Sequence, residues 1–403
     1  MFHGSARIAR AIPIVKHSLN GFRQAIKNNA DPVPAFAVGI RQFFTSKLTS
    51  GSSSGEAKSE QATRPRESAG RPSSTATQAA LKPHVPRILV IDGYTAEGRA
   101  ELEKAGATQA GKLYERMLKK ASRRALGVEA EIEIIYPSDV PATEPVEPCP
   151  SDFESFDAVA WTGCSLSILA AEDPKVIRQL KLAKHFFHVG LPQFGSCWAV
   201  QIAATAAGGK CDKNPRGREM GIGRKIYLTP DGRHHPMYAG KQSAFDVFTS
   251  HEDEVVKLPP NALVLAQNNW SGVQAAVVHY AEGEFWGVQY HPEYDLKELA
   301  MLTKARTVKL TNMGFFKSSS DAQEYVDELM DIHNSIQNHG PEALQKYFVS
   351  PPAASLIRRD LMWKLGIDSD VLLESIRCRE VENWLSFQVA PLVERRSRMR
   401  GIE

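Results

Sequence analysis

From Arg87 onward the apolar positions change rhythm several times, and each change predicts an element. RILVID is a continuous apolar run of the kind a fully buried strand shows. Helical periodicity follows through Arg124, and AEIEIIYP reads as a second strand. The Pro-rich PSDVPATEPVEPCP is a loop. FDAVAWTG is the next strand, and DPKVIRQLKLAKHFFHVG is a helix closing on Gly190. LPQFGS is a strand that runs straight into the helical CWAVQIAATAA. Alternation of strand and helix predicts a mainly parallel sheet covered on both faces. RKIYLT, AFDVFTS, ALVLAQN, VQAAVVHY and FWGVQY then follow one another without helices, which predicts an antiparallel section joined to that sheet.

The two ends of the chain differ from this middle. Beyond about Met313, SDAQEYVDELMDIHNSIQNHG has an Asp near its start and a Gly after its end, as a capped helix does. ASLIRRDLMWKLGI and DVLLESIRCREVENWLSFQVAP are further amphipathic segments, expected to pack on the domain or on a partner. At the other end, residues 1–48 carry Arg7, Arg10, Lys16, Arg23, Lys27, Arg41 and Lys47 against a single acid, Asp31. Ile8, Ile12, Val15, Leu19, Phe22 and Ile26 fall on one helical face. That is the pattern of an organellar (mitochondrial) transit peptide within residues 1–55. A plain basic extension on a cytoplasmic protein is the alternative, and Pro13 interrupts the helical pattern. Residues 49–83 are rich in Ser, Thr, Ala, Gly and Pro and offer too little apolar surface to order, so a disordered linker is expected. The organisation predicted is an N-terminal extension over 1–86, an α/β domain over 87–312 and a C-terminal helical extension over 313–403.

Composition narrows the class. The 403 residues are 42% hydrophobic and 24% charged, as in soluble globular chains. A net charge of +3 does not argue for nucleic acid. No run approaches the ~18 apolar residues of a membrane span. Cys149, Cys164, Cys197, Cys211 and Cys378 are odd in number and unpatterned, so neither a disulfide framework nor a CxxC metal site is implied, and a reducing compartment fits.

One of those cysteines carries chemistry. Cys197 stands where the strand LPQFGS turns into a helix, and a helix N-terminus there offers unpaired N–H groups and partial positive charge. Such a field favours a thiolate. Gly195 and Ala199 flank it at −2 and +2, where a sharp strand-to-helix elbow has no room for larger side chains. Taken alone, a buried structural cysteine would be the plainer reading. A thiolate nucleophile also needs a base and a group to orient it. GVQYHPEYD supplies His291 at a second strand end, with Glu293 two residues on and the stiffening Pro292 between them.

FGSCWAVQ followed by GVQYHPE resembles the class I, or triad-type, glutamine amidotransferases, above all the glutaminase domain of GMP synthase. WTGCSLSI, GREMGIG and SHEDEVVKLPPNALVLAQN are similar to further blocks of that family in the same order, so the likeness covers roughly residues 87–300. It implies a flavodoxin-like three-layer α/β fold and no cofactor. The substrate would be glutamine or a γ-glutamyl compound, with an ammonia-accepting synthase as the partner class. Cys197 would be the nucleophile, His291 the general acid and base, and Glu293 its orienter. The oxyanion would be met at Trp198 and at Cys164, beside Gly163, while Gln201, Ser250 and His251 match positions that hold substrate. Cys164-Ser165 replaces the family's Gly-Pro, and Ala199 its glycine. No ATP-pyrophosphatase loop occurs, so the resemblance extends to glutamine hydrolysis and not to GMP synthesis. γ-Glutamyl peptide hydrolysis, or binding without catalysis, are the alternatives. GYTAEGRA lacks the Lys and Ser/Thr of a phosphate loop, and the adjacent His234 and His235 read as a solvated turn rather than a metal site.

Overall fold

The computed structural model describes residues 84–141, 143–144, 153–349 and 358–400. Apart from residues 84–86, the expected N-terminal extension lies outside that set, as does Cys149. The chain divides into Met1–Thr77 and Gln78–Glu403, and every described residue belongs to the second unit.

In chain order the strands are β1 (Arg87–Ile91), β2 (Glu131–Ile135), β3 (Ala158–Trp161), β4 (Gln193–Ser196), β5 (Lys210–Lys213) and β6 (Glu219–Leu228). They continue with β7 (Ala244–His251), β8 (Asp253–Lys257), β9 (Ala262–Gln267), β10 (Ala275–Tyr280) and β11 (Gly283–Val288). Nine of them form one sheet in the order β2-β1-β3-β4-β11-β10-β9-β6-β7, and β5 pairs with β8 apart from it. The first five in that order are mutually parallel, and the remainder are antiparallel. β11 returns to lie parallel beside β4, with Val288 opposite Ser196. Two strands far apart in sequence therefore end side by side.

Helices α1 (Ala96–Ala105) and α2 (Ala110–Leu126) connect β1 to β2, α3 (Pro174–Val189) connects β3 to β4, and α4 (Trp198–Ala206) follows β4. β1 shows how the layers arise: Ile88 and Val90 point to one face, Leu89 and Ile91 to the other, and all four are fully buried. The first face is covered by α2 and by Val381, Trp384, Leu385 and Val389 of the C-terminal helices. α3 and α4 cover the second. A third cluster joins Phe248 to Leu299, Leu329 and Met362 of the helices that follow β11. This is the three-layer α/β arrangement, and the C-terminal helices supply part of one layer. No described helix is long and apolar enough to cross a membrane.

The helical stretch expected up to Arg124 is two helices, because Gly106 takes a left-handed conformation (φ 88°) and caps the first. FWGVQY ends as a strand at Val288, although the Gln289 N–H still donates to Gln274 O at 2.8 Å. Helix Ser319–Val349 is broken at Gly340, where the sequence pattern ends it.

Candidate active site

Cys197 occupies a sharp elbow between β4 and α4. Its backbone is left-handed (φ 53°, ψ −101°), a conformation that costs a non-glycine residue ~1–3 kcal/mol and that surrounding structure must hold. Part of that hold is its N–H, which donates to Val288 O of β11 at 2.7 Å. The elbow is also very tight. A Cβ on Gly195 would lie 2.4 Å from Ala199 Cβ and 2.6 Å from Trp161 O, so only glycine fits there. Trp198 opens α4, where its N–H has no partner within the helix. Its indole is fixed by donating to Gln179 Oε1 at 2.8 Å.

His291 leaves the neighbouring strand, and its N–H donates to Phe248 O at 2.8 Å. The ring is buried, with Nδ1 2.7 Å from Glu293 Oε1. Nε2 has no hydrogen-bond partner among the described residues. Burial opposes charge on the ring, but Glu293 and Cys197 favour it more, and the imidazole pKa is pushed up to about 10. Three further residues support the pair. Tyr294 stacks on the imidazole at 4.0 Å between centroids, 3° from parallel. Ser196 donates to Glu293 Oε1 at 3.1 Å, and Tyr114 donates to Ser196 Oγ at 2.7 Å. The alternation of β4 explains why Ser196 is there: Phe194 and Ser196 face α2, while Gly195 faces α4.

Gly163 follows β3 and lies against both groups. A Cβ there would come 2.9 Å from His291 Cε1 and 3.5 Å from Cys197 Cβ. Cys164 packs its side chain against Gly93, and burial pushes its thiol well above the ordinary range. The GYTAEGRA loop thus receives Cys164, and its Thr95 caps α1 by accepting from Gly98 N–H.

Cys197, Trp198, Cys164, Gln201, Ser250 and His251 all line one cavity of about 380 Å³. They do not line it alike. His251 has Nε2 2.8 Å from Glu219 and Nδ1 3.1 Å from Asp253 O, so both ring nitrogens are engaged inside the fold. Gln201 donates to Asp253 O at 3.0 Å. Ser250 Oγ accepts from Arg306 at 2.6 Å. The cavity also carries Lys213, Arg218 and Lys309. Glu252 pairs with Arg218 and with Lys309. The side chains of Arg306 and Lys213 have no carboxylate partner among the described residues. Sequence reading missed Tyr294, Ser196, Tyr114 and Arg306. Ser196 and Tyr294 stand within FGSCWAVQ and GVQYHPEYD, whereas nothing local marks Arg306 or Tyr114.

The glutamine amidotransferase class-I family model matches residues 170–308, a span that includes Cys197, His291 and Glu293. A Pseudomonas protein named gamma-glutamyl-L-1-hydroxyisopropylamide hydrolase is 31% identical over 313 residues, 77% of this chain and 95% of its own length. A glutamine-hydrolysing GMP synthase subunit of Ignicoccus hospitalis is 27% identical over 50% of this chain and 94% of its own length. Gamma-glutamyl peptidase 5 of Arabidopsis thaliana is 29% identical over 41% of this chain and 64% of its own.

Proposed function

Since the chain belongs to the class I glutamine amidotransferase family, we propose that it hydrolyses γ-glutamyl amides, glutamine being the smallest of them, through Cys197, His291 and Glu293. The observation that carries this reading is the His291–Glu293 pair beside Cys197, which itself lines a cavity whose Arg306 and Lys213 can meet a carboxylate. The Cys197 sulfur attacks the γ-carbonyl carbon, and the oxyanion is met by the N–H groups of Trp198 and Cys164. His291, held as imidazolium, gives its proton to the amide nitrogen as the C–N bond breaks, and the amine leaves. Water then attacks the glutamyl thioester, and His291 takes its proton. The C–S bond breaks, glutamate departs and the thiolate is restored. Arg306 and Lys213 are suited to the substrate's α-carboxylate.

The Pseudomonas relative is named as a hydrolase of a γ-glutamyl amide and the Arabidopsis relative as a γ-glutamyl peptidase, which supports release to water as the end of the reaction. Delivery of ammonia to a synthase partner is a second reading, supported by the Ignicoccus GMP synthase relative. Incubation of the pure protein with glutamine, γ-glutamyl alkylamides and γ-glutamyl dipeptides, with glutamate and amine both measured, separates the two. Faster turnover of substituted amides supports the hydrolase. Turnover of glutamine alone, and only with cell extract present, supports delivery. Inertness toward every γ-glutamyl compound with and without extract overturns both.

A further inference from the structure

The loop that bears His291 and Glu293 is gripped from outside the family domain. Tyr290, before the histidine, donates its hydroxyl to Glu380 Oε1 at 2.5 Å, and the same carboxylate accepts from the buried Lys241. Pro292, between the two site residues, has a carbonyl that accepts twice: from Arg377 Nε at 3.1 Å and from Cys378 Sγ at 3.3 Å. Burial pushes the Cys378 thiol up to about 12, so it stays protonated as a donor. Arg377 is itself fixed by donating to Val371 O at 2.5 Å. Its guanidinium lies 5.9 Å from the ring of Phe248, whose carbonyl holds the His291 N–H. All of these C-terminal groups follow residue 308, where the family match ends.

We infer that Arg377 is a positioning residue for the His291–Glu293 pair, acting through the Pro292 carbonyl with Cys378 as second donor. Proline has no N–H, so the loop can be held at Pro292 only through its carbonyl. A loop freed there lets Glu293 drift from the imidazole. The groups that bear on the charge of His291 are Glu293 and Cys197, with Tyr294 stacked against the ring. Beside Arg377, Glu374 and Lys120 pair with each other. Loss of a cation alone would raise the imidazole pKa. Loss of positioning lowers it, because Glu293 then favours the imidazolium less. The two effects have opposite signs.

This inference rests on the proposed hydrolase only for its kinetic arm. In the full chain, Arg377→Ala is expected to lower kcat at least tenfold with KM within twofold, and Arg377→Lys to recover part of the loss. Independently of any substrate, NMR titration of the His291 ring, assigned by its loss in His291→Ala, is expected to move down by half a pH unit or more in Arg377→Ala. Cys378→Ala is expected to give a smaller shift in the same direction, and Cys378→Ser none. An unchanged or raised His291 titration in folded Arg377→Ala overturns the inference. Should that variant not fold, unchanged titrations in both Arg377→Lys and Cys378→Ala overturn it instead. A wild type that turns over no γ-glutamyl compound defeats the functional reading and leaves the titration to decide Arg377.

Discussion

His291 is pulled in two directions, by burial toward the neutral ring and by Glu293 and Cys197 toward the charged one, and the charged form prevails. Its raised pKa sets a pH window. The stability contributed by the pair is complete below the ordinary histidine value of ~6.5 and is lost as pH rises through about 10. Activity is expected to persist to an upper limb near that value, since the leaving amine needs the proton. Glu293→Gln removes the charge that favours imidazolium and is expected to bring the limb down toward neutrality in a kcat/KM profile. Cys197→Ala is expected to abolish glutamate release with the fold retained by circular dichroism, and wild-type turnover in that variant would exclude the thiol as nucleophile. His291→Ala is expected to cost ~10²–10⁴-fold in kcat, and Glu293→Ala less, because base and nucleophile remain. The three residue types and their strand-end context were legible in the sequence. Tyr114 was not, because its hydroxyl reaches Glu293 through Ser196, 82 positions away along the chain.

At the scale of elements, the elbow between β4 and α4 depends on one missing methyl group. Gly195→Ala would place a carbon 2.4 Å from Ala199 Cβ and 2.6 Å from a strand carbonyl. Neither neighbour can rotate away. The variant is expected to lose ~1–3 kcal/mol of stability, read as a lower melting temperature, and to displace Cys197 enough to lose most activity. Unchanged melting and turnover would show that the elbow relaxes freely. The parallel strands were legible because buried strands are continuous apolar runs, as RILVI is. β5 and β8 were not: β5 exposes all but Cys211, and β8 buries Asp253, Glu254 and Val255 and leaves two residues exposed. Likewise, the amphipathic segments after Met313 announced a buried face without saying what it meets, since periodicity carries no partner information. The last of these segments meets the sheet, through contacts such as Trp384 on Phe194 at 5.7 Å, while the first packs Leu329 with Leu299 of the helix after β11.

For the whole molecule, that docking divides the two ends by function. The described sheet and the helices that cover it are built from Arg87 onward, so deletion of residues 1–77 is expected to leave turnover and melting temperature unchanged. Truncation after residue 312 is expected to yield insoluble or unfolded protein. It strips Val381, Trp384, Leu385 and Val389 from one face of the sheet, at ~1.5–3 kcal/mol per large apolar side chain, against a total stability of ~5–15 kcal/mol. Soluble, active protein from that truncation would show the helices to be dispensable. The place of β11 beside β4 has a consequence in time. A chain emerging from the ribosome completes the nucleophile's strand at Ser196, but the strand that brings its base ends only at Val288, after the antiparallel excursion. Such pairing of distant segments is slow, because loop closure must precede it. Until β11 reaches β4, Cys197 therefore stands without its base, and the chemistry waits on that long-range pairing.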